Sequence, residues 1–261
     1  MNDLDTWDQL LRLHVDQAGR VDYAGWLSHH PHTLSHWLAA QTAETDGRQE
    51  HLAHWINLYN AFTIQAVLKA YPIASIRPTL LSLPNWIGFL AFFQRKRHRL
   101  ANQWISLAWI ENRMLRQQGD PRIHFAIVCA SLGCPLLRNE AYRPVQVEQQ
   151  LDDDLKRFVN NPSKVRYDPE QNILFCSKIF EWYKADFLDE HASLSHYILP
   201  HLATNSKPIN KQNAELNSQP STETKTEPNI ETINKPRTHQ KNEPHLSFLP
   251  YDWSLNQRMS S

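Results

Sequence analysis

The residues best suited to chemistry lie between His124 and Cys134. Cys134 precedes Pro135, and because proline favours the first position of a helix, this spacing predicts that Cys134 caps a short helical turn. At a helix N-terminus the dipole and the free N–H groups favour the thiolate, which is the reactive form of cysteine. The pattern therefore predicts Cys134 as a nucleophile and His124 as its base, provided that the chain between them folds back.

The same spacing has a structural interpretation, in which Cys134 starts a turn and its sulfur only packs against its neighbours. Cys129 and Cys176 lie within apolar runs, so both are predicted to be inert core residues. The run 123–130 is almost continuously apolar, which predicts a buried central strand that begins near His124.

Polar side chains also interrupt an otherwise apolar helix. Residues 52–70 repeat apolar side chains with helical periodicity, yet Asn57 and Asn60 lie on one side at i, i+3. Buried amides need hydrogen-bond partners. Either both asparagines bond to loop backbone, or they line a polar pocket.

Glu111 is a comparable exception on the next helix, where it borders an apolar stripe. It could be solvated there, or paired with His124 or Arg116. A buried polar group without a partner costs ~1–3 kcal/mol, so several such groups are most simply satisfied by one another. We therefore predict that the two asparagines, Glu111 and His124 converge on one site that includes or adjoins Cys134.

Composition excludes several classes of protein. The 261 residues carry 27 Lys+Arg and 27 Asp+Glu, so no net charge recruits nucleic acid or an acidic membrane. Three cysteines in so long a chain rule out a disulfide framework and fit a reducing compartment. No Gly-rich phosphate loop and no complete metal-ligand spacing occurs, so we predict neither cofactor nor metal. No membrane span or secretory signal is visible, which predicts a cytoplasmic protein, or a secreted one if the start codon is misassigned.

Periodicity predicts the elements that position these residues. Helices are expected at 4–15, 52–70, 145–159 and after the caps Ser106 and Ser177. A hairpin is expected around residues 101–102, and a strand at 173–176. Helices outweigh strands and the strands come late. This pattern favours an α+β class, a mainly helical single domain with a small β-sheet.

The segment 204–245 differs from the rest of the chain. It contains no aromatic residue and no glycine, and such a polar stretch cannot bury enough apolar area to offset its ordering entropy. It is predicted to be a disordered, low-complexity insertion. Residues 246–256 are again rich in apolar and aromatic side chains, which predicts a last strand that returns to the core. We therefore expect one domain over 1–256, interrupted at 204–245, with a tail at 257–261.

Several blocks of the sequence resemble the DUF547 family, a domain of unknown function. They include Trp55-Ile-Asn-Leu-Tyr-Asn-Ala-Phe62, Asp120-Pro-Arg-Ile-His-Phe125, Cys129-Ala-Ser-Leu-Gly-Cys-Pro135 and Tyr251-Asp-Trp-Ser-Leu-Asn256. The resemblance spans roughly residues 1–200 and 246–256, and the segment 204–245 departs from it. The recurring polar positions of the family correspond to Asn57, Tyr59, Asn60, Glu111, Arg116, His124 and Cys134. The resemblance thus implies a shared polar pocket, but no substrate.

Two functions follow from these residues. In the first, the chain is a thiol-dependent hydrolase or transferase of acyl or amide bonds, in which Cys134 attacks, His124 is the base, and Asn57 or Asn60 orients the histidine or binds the oxyanion. In the second, the same pocket is a non-catalytic module that binds an unknown small molecule or peptide. Hydrogen-bond contact between Cys134 and His124 in an open cleft would favour the enzyme.

Overall fold

The first helices surround a cluster of tryptophans. The computed structural model describes residues 3–43, 51–77, 79–80, 83–84, 93–101, 103–203 and 243–258. Its first segment forms α1 (Asp3–His14), α2 (Tyr23–His29) and α3 (Thr33–Ala43). Trp7 and Trp37 stack with ring centroids 5.4 Å apart, and Trp26 is buried beside them. The helix predicted at 4–15 is confirmed as α1.

The long helix α4 (Leu52–Ala70) has the predicted bounds and belongs to the main core. Apolar residues surround it almost completely, and Leu58, Ile64 and Val67 are fully buried. The helix ends before Pro72, since proline lacks the N–H that a further helical turn would need.

Two hairpins and a capped helix follow α4. β1 (Thr79–Leu80) pairs with β2 (Leu83–Pro84), and β3 (His98–Leu100) pairs antiparallel with β4 (Gln103–Ile105) where a hairpin was predicted. α5 (Leu107–Ile110) begins at the predicted cap Ser106, whose Oγ accepts a hydrogen bond from the N–H of Trp109 at 3.1 Å. The chain then widens into a π-helical turn (Glu111–Leu115) and tightens into a 3-10 turn (Arg116–Gln118). Glu111 therefore begins a backbone irregularity of a kind that is frequent at functional sites.

The predicted central strand at 123–130 is wrong. Residues Ile123–Ala126 form one helical turn, α6, and the chain that follows is extended but pairs with no strand over 127–129. The side chain of Asn60 takes the place of a strand partner: its Nδ2 donates to the carbonyl of Ala126 at 2.9 Å, and its Oδ1 accepts from the N–H of Val128 at 3.0 Å. The apolar sequence thus indicated burial correctly, but an amide side chain satisfies the backbone instead of a sheet.

A second core forms around a three-stranded sheet. α7 (Val147–Val159) leads into β5 (Val165–Asp168) and β6 (Ile173–Cys176), which pair antiparallel. α8 (Lys178–Trp182) starts at the predicted cap Ser177, and α9 (Lys184–Phe187) and α10 (Leu194–Ile198) follow. Phe125, Phe180 and Phe187 pack their rings together beneath the sheet. The fold is α+β, mainly helical with a small β-sheet, as predicted.

The chain returns to this sheet after residue 242. β7 (His245–Phe248) pairs parallel with β6, which confirms the predicted last strand. Residues 204–242 of the predicted disordered insertion lie outside the described residues. Its predicted end at 245 is wrong, because Glu243 accepts hydrogen bonds from Ser193 and Ser195, and His245 already belongs to β7.

The last described residues also belong to the fold. Gln257 forms a β-bridge with Val21, and the side chain of Arg258 pairs with Asp22 at 2.9 Å. The predicted tail at 257–261 is therefore wrong for its first two residues, while 259–261 lie outside the described residues. Among the helices that the structure describes, none is long and apolar enough to cross a bilayer.

Candidate functional site

One cavity collects side chains from both cores. Its volume is about 450 Å³, which is within the size range of ligand pockets. α4 contributes Tyr59, the π-helical turn contributes Glu111, and α6 contributes His124. The segment 129–134, called here the thiol loop, contributes its two terminal cysteines. The remaining lining includes five aromatic residues: Phe93, Trp182, Tyr183, Tyr251 and Trp253.

Cys129 is the more exposed and the more acidic of the two cysteines. Its Sγ lies 2.7 Å from Cys134 Sγ, 3.0 Å from Ser131 Oγ and 3.2 Å from the hydroxyl of Tyr251. Burial alone would raise the pKa of Cys129, but these hydrogen bonds outweigh it and lower the pKa to about 7. The prediction that Cys129 is an inert core residue is therefore wrong, since it is partly exposed and lines the cavity.

Cys134 has the opposite environment. It caps no helical turn, because the N–H of Cys134 bonds to the carbonyl of Ser131 and closes a turn, and the residues after Pro135 are not helical. The predicted N-cap at Cys134 is wrong for this reason. Burial and the neighbouring Cys129 sulfur raise the pKa of Cys134, so it is the thiol that donates within the pair. Cys176 is buried as predicted, and burial raises its pKa to about 12.

The C-terminal segment holds the thiol loop in place. The N–H groups of Leu132 and Gly133 donate to the carbonyls of Ser254 at 2.8 Å and Asp252 at 2.7 Å. A Cβ on Gly133 would lie 2.7 Å from the ring of Tyr251, so only glycine allows this close approach. Residues 251–254 thus fix both the shape of the loop and a hydrogen bond to Cys129.

His124 bonds to a carboxylate and not to a cysteine. Its Nε2 lies 2.7 Å from Asp186 Oδ2, and its ring stacks on Tyr183 with centroids 3.9 Å apart. Burial lowers the pKa of His124 to about 4 and outweighs the opposing effect of Asp186, so the imidazole is neutral at pH 7. Asp186 accepts a hydrogen bond from the N–H at Nε2, so the lone pair of the neutral ring lies on Nδ1. This Nδ1 atom is buried without a hydrogen-bond partner among the described residues.

Arg116 holds the Asp186 carboxylate that bonds to His124, and its Nη1 also donates to Asn112 Oδ1 at 2.8 Å. Its Nε and Nη2 each lie 2.7 Å from an oxygen of that carboxylate, which is a bidentate pair. These hydrogen bonds from Arg116 lower the pKa of Asp186 and keep it ionised. Arg116 does not line the cavity, and Asp186 lies between it and His124.

Glu111 lies in the cavity with its charge poorly solvated. Burial raises the pKa of Glu111, although hydrogen bonds from Tyr183 and Tyr59 oppose this shift. The hydroxyl of Tyr59 lies 3.4 Å from Glu111 Oε2. A carboxyl group whose pKa is raised by burial is better suited than an exposed one to donate a proton to a reacting group.

Comparison with known proteins places the cavity in a family context. Residues 43–159 match the family described as "Protein of unknown function, DUF547". This match covers 117 of the 261 residues, so the chain is similar to the DUF547 family over a little less than half of its length. No curated protein and no solved structure matches the chain. The matched residues include Tyr59, Glu111, His124 and the thiol loop, so most of the cavity belongs to the part that defines the family.

Two DUF547 positions predicted for the site lie elsewhere. Asn57 Nδ2 donates to the carbonyl of Tyr142 at 2.8 Å, and its Oδ1 accepts from the N–H of Tyr142 and from the indole of Trp7. Within the described part of the chain, the Asn60 side chain bonds to the backbone of Ala126 and Val128. The structure therefore brings together Glu111, His124 and Cys134, whereas both asparagines satisfy loop backbone, which was the alternative interpretation.

Tyr183, Asp186 and Tyr251 are site residues that the sequence pattern did not reveal. All three lie beyond the DUF547 match, and Tyr251 is separated from Cys129 by 122 positions. Tyr251 belongs to the resemblance block at 251–256, but no role was predicted for it there. No cluster of three or more metal-ligating side chains occurs among the described residues.

Proposed function

We propose that this chain is a thiol-dependent hydrolase or transferase of acyl or amide bonds, with Cys129 as its nucleophile. One observation carries the proposal: a single cavity contains a thiol with a lowered pKa and a carboxyl group, Glu111, with a raised pKa. Two titratable groups whose environments push their pKa values in opposite directions are the usual basis for assigning nucleophile and acid.

In the proposed first step, the Cys129 thiolate attacks the carbonyl carbon of the substrate. The carbonyl carbon gains a bond to sulfur, and the bond to the leaving amine or alcohol breaks. Glu111 donates its proton to the leaving group, which leaves the enzyme as a thioester and Glu111 as a carboxylate.

In the second step, water or an acceptor nucleophile attacks the thioester. The Glu111 carboxylate accepts the proton of the incoming nucleophile, and the carbon–sulfur bond breaks to restore the thiolate. Water gives a hydrolase and another acceptor gives a transferase. Both outcomes return Cys129 and Glu111 to their starting protonation states.

This proposal changes the roles that the sequence suggested. Cys129 replaces Cys134 as nucleophile, since the raised pKa of Cys134 makes it the donor of the pair. His124 is a weak base at pH 7, because its pKa lies at about 4. It becomes a positioning residue that holds Tyr183, and Tyr183 in turn bonds to Glu111.

Acyl capture tests the nucleophile. The reduced protein is incubated with a p-nitrophenyl ester, and the acylated cysteine is located by mass spectrometry. We expect acylation at Cys129, its loss in Cys129→Ala, and no change in the matched control Cys176→Ala. Equal, slow labelling of all three cysteines would contradict the proposal and favour a non-catalytic module for a small molecule or peptide.

The role of Glu111 is tested by varying the leaving group. A p-nitrophenolate leaves without a proton, so Glu111→Gln should acylate with it at the wild-type rate. An alkyl ester or an amide needs the proton, and acylation should slow by ~10²–10⁴-fold. Equal rate losses for both leaving groups would contradict the assignment of Glu111 as the acid.

A further inference from the structure

We propose that Cys129 and Cys134 form an attacking and resolving pair that exchanges thiols with small-molecule disulfides in the cavity. The proposal shares the reactive Cys129 with the proposed function, but it gives Cys134 a chemical role that acyl transfer does not need. It rests on the placement of the two sulfurs, on their unequal exposure and on the loop that joins them.

The two sulfur atoms are already close to bonding distance. Cys129 Sγ and Cys134 Sγ lie 2.7 Å apart, only slightly beyond the ~2.05 Å of a disulfide bond. Both residues line the same cavity, but Cys129 is partly exposed whereas Cys134 is 6% exposed. A disulfide that enters the cavity can therefore reach Cys129 more easily than Cys134.

The thiol loop keeps this arrangement without help from the substrate. Ala130 has a φ of 64°, and the turn that follows is closed by the hydrogen bond from Cys134 N–H to the Ser131 carbonyl. Lys164, itself 6% exposed, donates from Nζ to the carbonyl of Leu132. The loop is thus held by contacts on both sides, and these contacts keep the two sulfurs next to each other.

The unequal acidity of the pair suits this order of events. The attacking thiol in disulfide exchange works best when its pKa lies near the ambient pH, and the pKa of Cys129 is about 7. Cys134, whose pKa is raised, stays protonated until the mixed disulfide forms. Burial is the main cause of this raised pKa, and the neighbouring Cys129 sulfur adds to it. Once Cys129 has lost its negative charge, that second contribution disappears and Cys134 gives up its proton more easily.

The exchange balances in two steps. The Cys129 thiolate attacks one sulfur of the substrate disulfide, a mixed disulfide forms, and the other half leaves as a thiolate. Cys134 then gives its proton to that thiolate and attacks Cys129 Sγ, which releases the second half as a thiolate. One protein thiolate and one protein thiol are oxidised to a disulfide, and the substrate disulfide is reduced to one small thiol and one small thiolate.

Oxidised glutathione is a suitable probe disulfide for a test by intact-mass and peptide-map analysis. In wild-type protein we expect the loss of two hydrogens, no retained glutathione, and a cross-link between Cys129 and Cys134. In Cys134→Ser, which keeps a hydrogen-bond donor, we expect a stable glutathione adduct on Cys129. The matched control Cys176→Ser should behave as wild type.

Three results would overturn the proposal: a persistent glutathione adduct on wild-type protein, no reaction at either cysteine, or a cross-link that includes Cys176. If Cys134→Ser fails to fold, Cys134→Ala serves in its place, and the wild-type cross-link alone still decides. Acyl capture under reducing conditions needs Cys129 but not Cys134. Failure of acyl capture with a successful cross-link would reject only the hydrolase, and the reverse would reject only the exchange pair.

Discussion

Replacing Asn57 with alanine tests whether this residue supports the fold and not the cavity. Its side chain makes three hydrogen bonds: to the carbonyl of Tyr142 at 2.8 Å, to the N–H of Tyr142 at 3.0 Å and to the indole of Trp7 at 3.1 Å. Asn57 is 3% exposed, so water cannot replace the lost amide. Alanine would therefore leave all three partner groups without this partner inside the core.

The expected loss follows from those three groups. Each buried polar group left unsatisfied costs ~1–3 kcal/mol. The three groups share one site, so their losses do not add fully. We expect the free energy of unfolding of Asn57→Ala to fall by ~3–5 kcal/mol, a large part of the ~5–15 kcal/mol that a domain has in total.

Urea unfolding followed by tryptophan fluorescence measures this loss, and Asn160→Ala is its matched control. Asn160 also makes three hydrogen bonds, to the carbonyls of Lys156 and His201 and from the N–H of Ala203, but it is exposed. Water can replace its amide, so we expect a loss of only ~0.5–1.5 kcal/mol. Below the unfolding transition, both variants should alkylate Cys129 at the wild-type rate.

Two results would refute this reasoning. A loss in Asn57→Ala no larger than in Asn160→Ala would show that the buried hydrogen bonds contribute little. A stable Asn57→Ala protein with slow alkylation of Cys129 would show instead that the asparagine belongs to the site.

Three further outcomes follow from the same contacts. A plot of the Cys129 alkylation rate against pH should inflect near the pKa of about 7. Tyr251→Phe should move this inflection to higher pH, because it removes a hydrogen-bond donor to the thiolate, and an unmoved inflection would reject that contact. Burial lowers the pKa of His98 and His124 to about 4, so the unfolded chain binds protons that the folded chain excludes between ~pH 6.5 and 4. The urea midpoint of the wild-type protein should fall as the pH falls through that window, and it should fall less in His98→Gln and in His124→Gln. Equal slopes of midpoint against pH in wild type and variants would contradict this. Gly133→Ala should lose ~1–3 kcal/mol in urea unfolding, because its Cβ would lie 2.7 Å from a tyrosine ring, and a wild-type midpoint would contradict that clash.

Local signals predicted the elements that depend on local interactions. The bounds of α4 follow from its apolar periodicity and from Pro72, and the cap at Ser106 follows from the preference of serine for that position. The strand at 123–130 was wrong because a continuous apolar run indicates burial but not the partner of the backbone. Asn60, which lies 66 positions before Ala126, supplies that partner.

The reactive thiol could not be predicted in the same way. Alternation with apolar neighbours assigned Cys129 to the core, and its neighbours in sequence do mostly lie there. Its lowered pKa depends on donors that the fold brings to the sulfur, and one of them, Tyr251, is 122 positions away. The low pKa of Cys129 therefore depends on tertiary contacts, which local sequence does not reveal. The helix N-cap expected at Cys134 would have depended on neighbouring residues alone.

The C-terminal segment links the small sheet to the chemistry of the thiol loop. β7 pairs with β6, and the chain beyond it runs to the cavity, where Tyr251 bonds to Cys129 and the carbonyls of Asp252 and Ser254 accept the loop N–H groups. Tyr251 lies between two anchored parts of the chain, β7 on one side and residues 254–256 on the other, where the N–H of Leu255 donates to the carbonyl of Ala74 and the N–H of Asn256 to that of Ala130. We therefore expect a change that loosens β7 to shift the pKa of Cys129 upward only if it also moves the Tyr251 hydroxyl away from the sulfur.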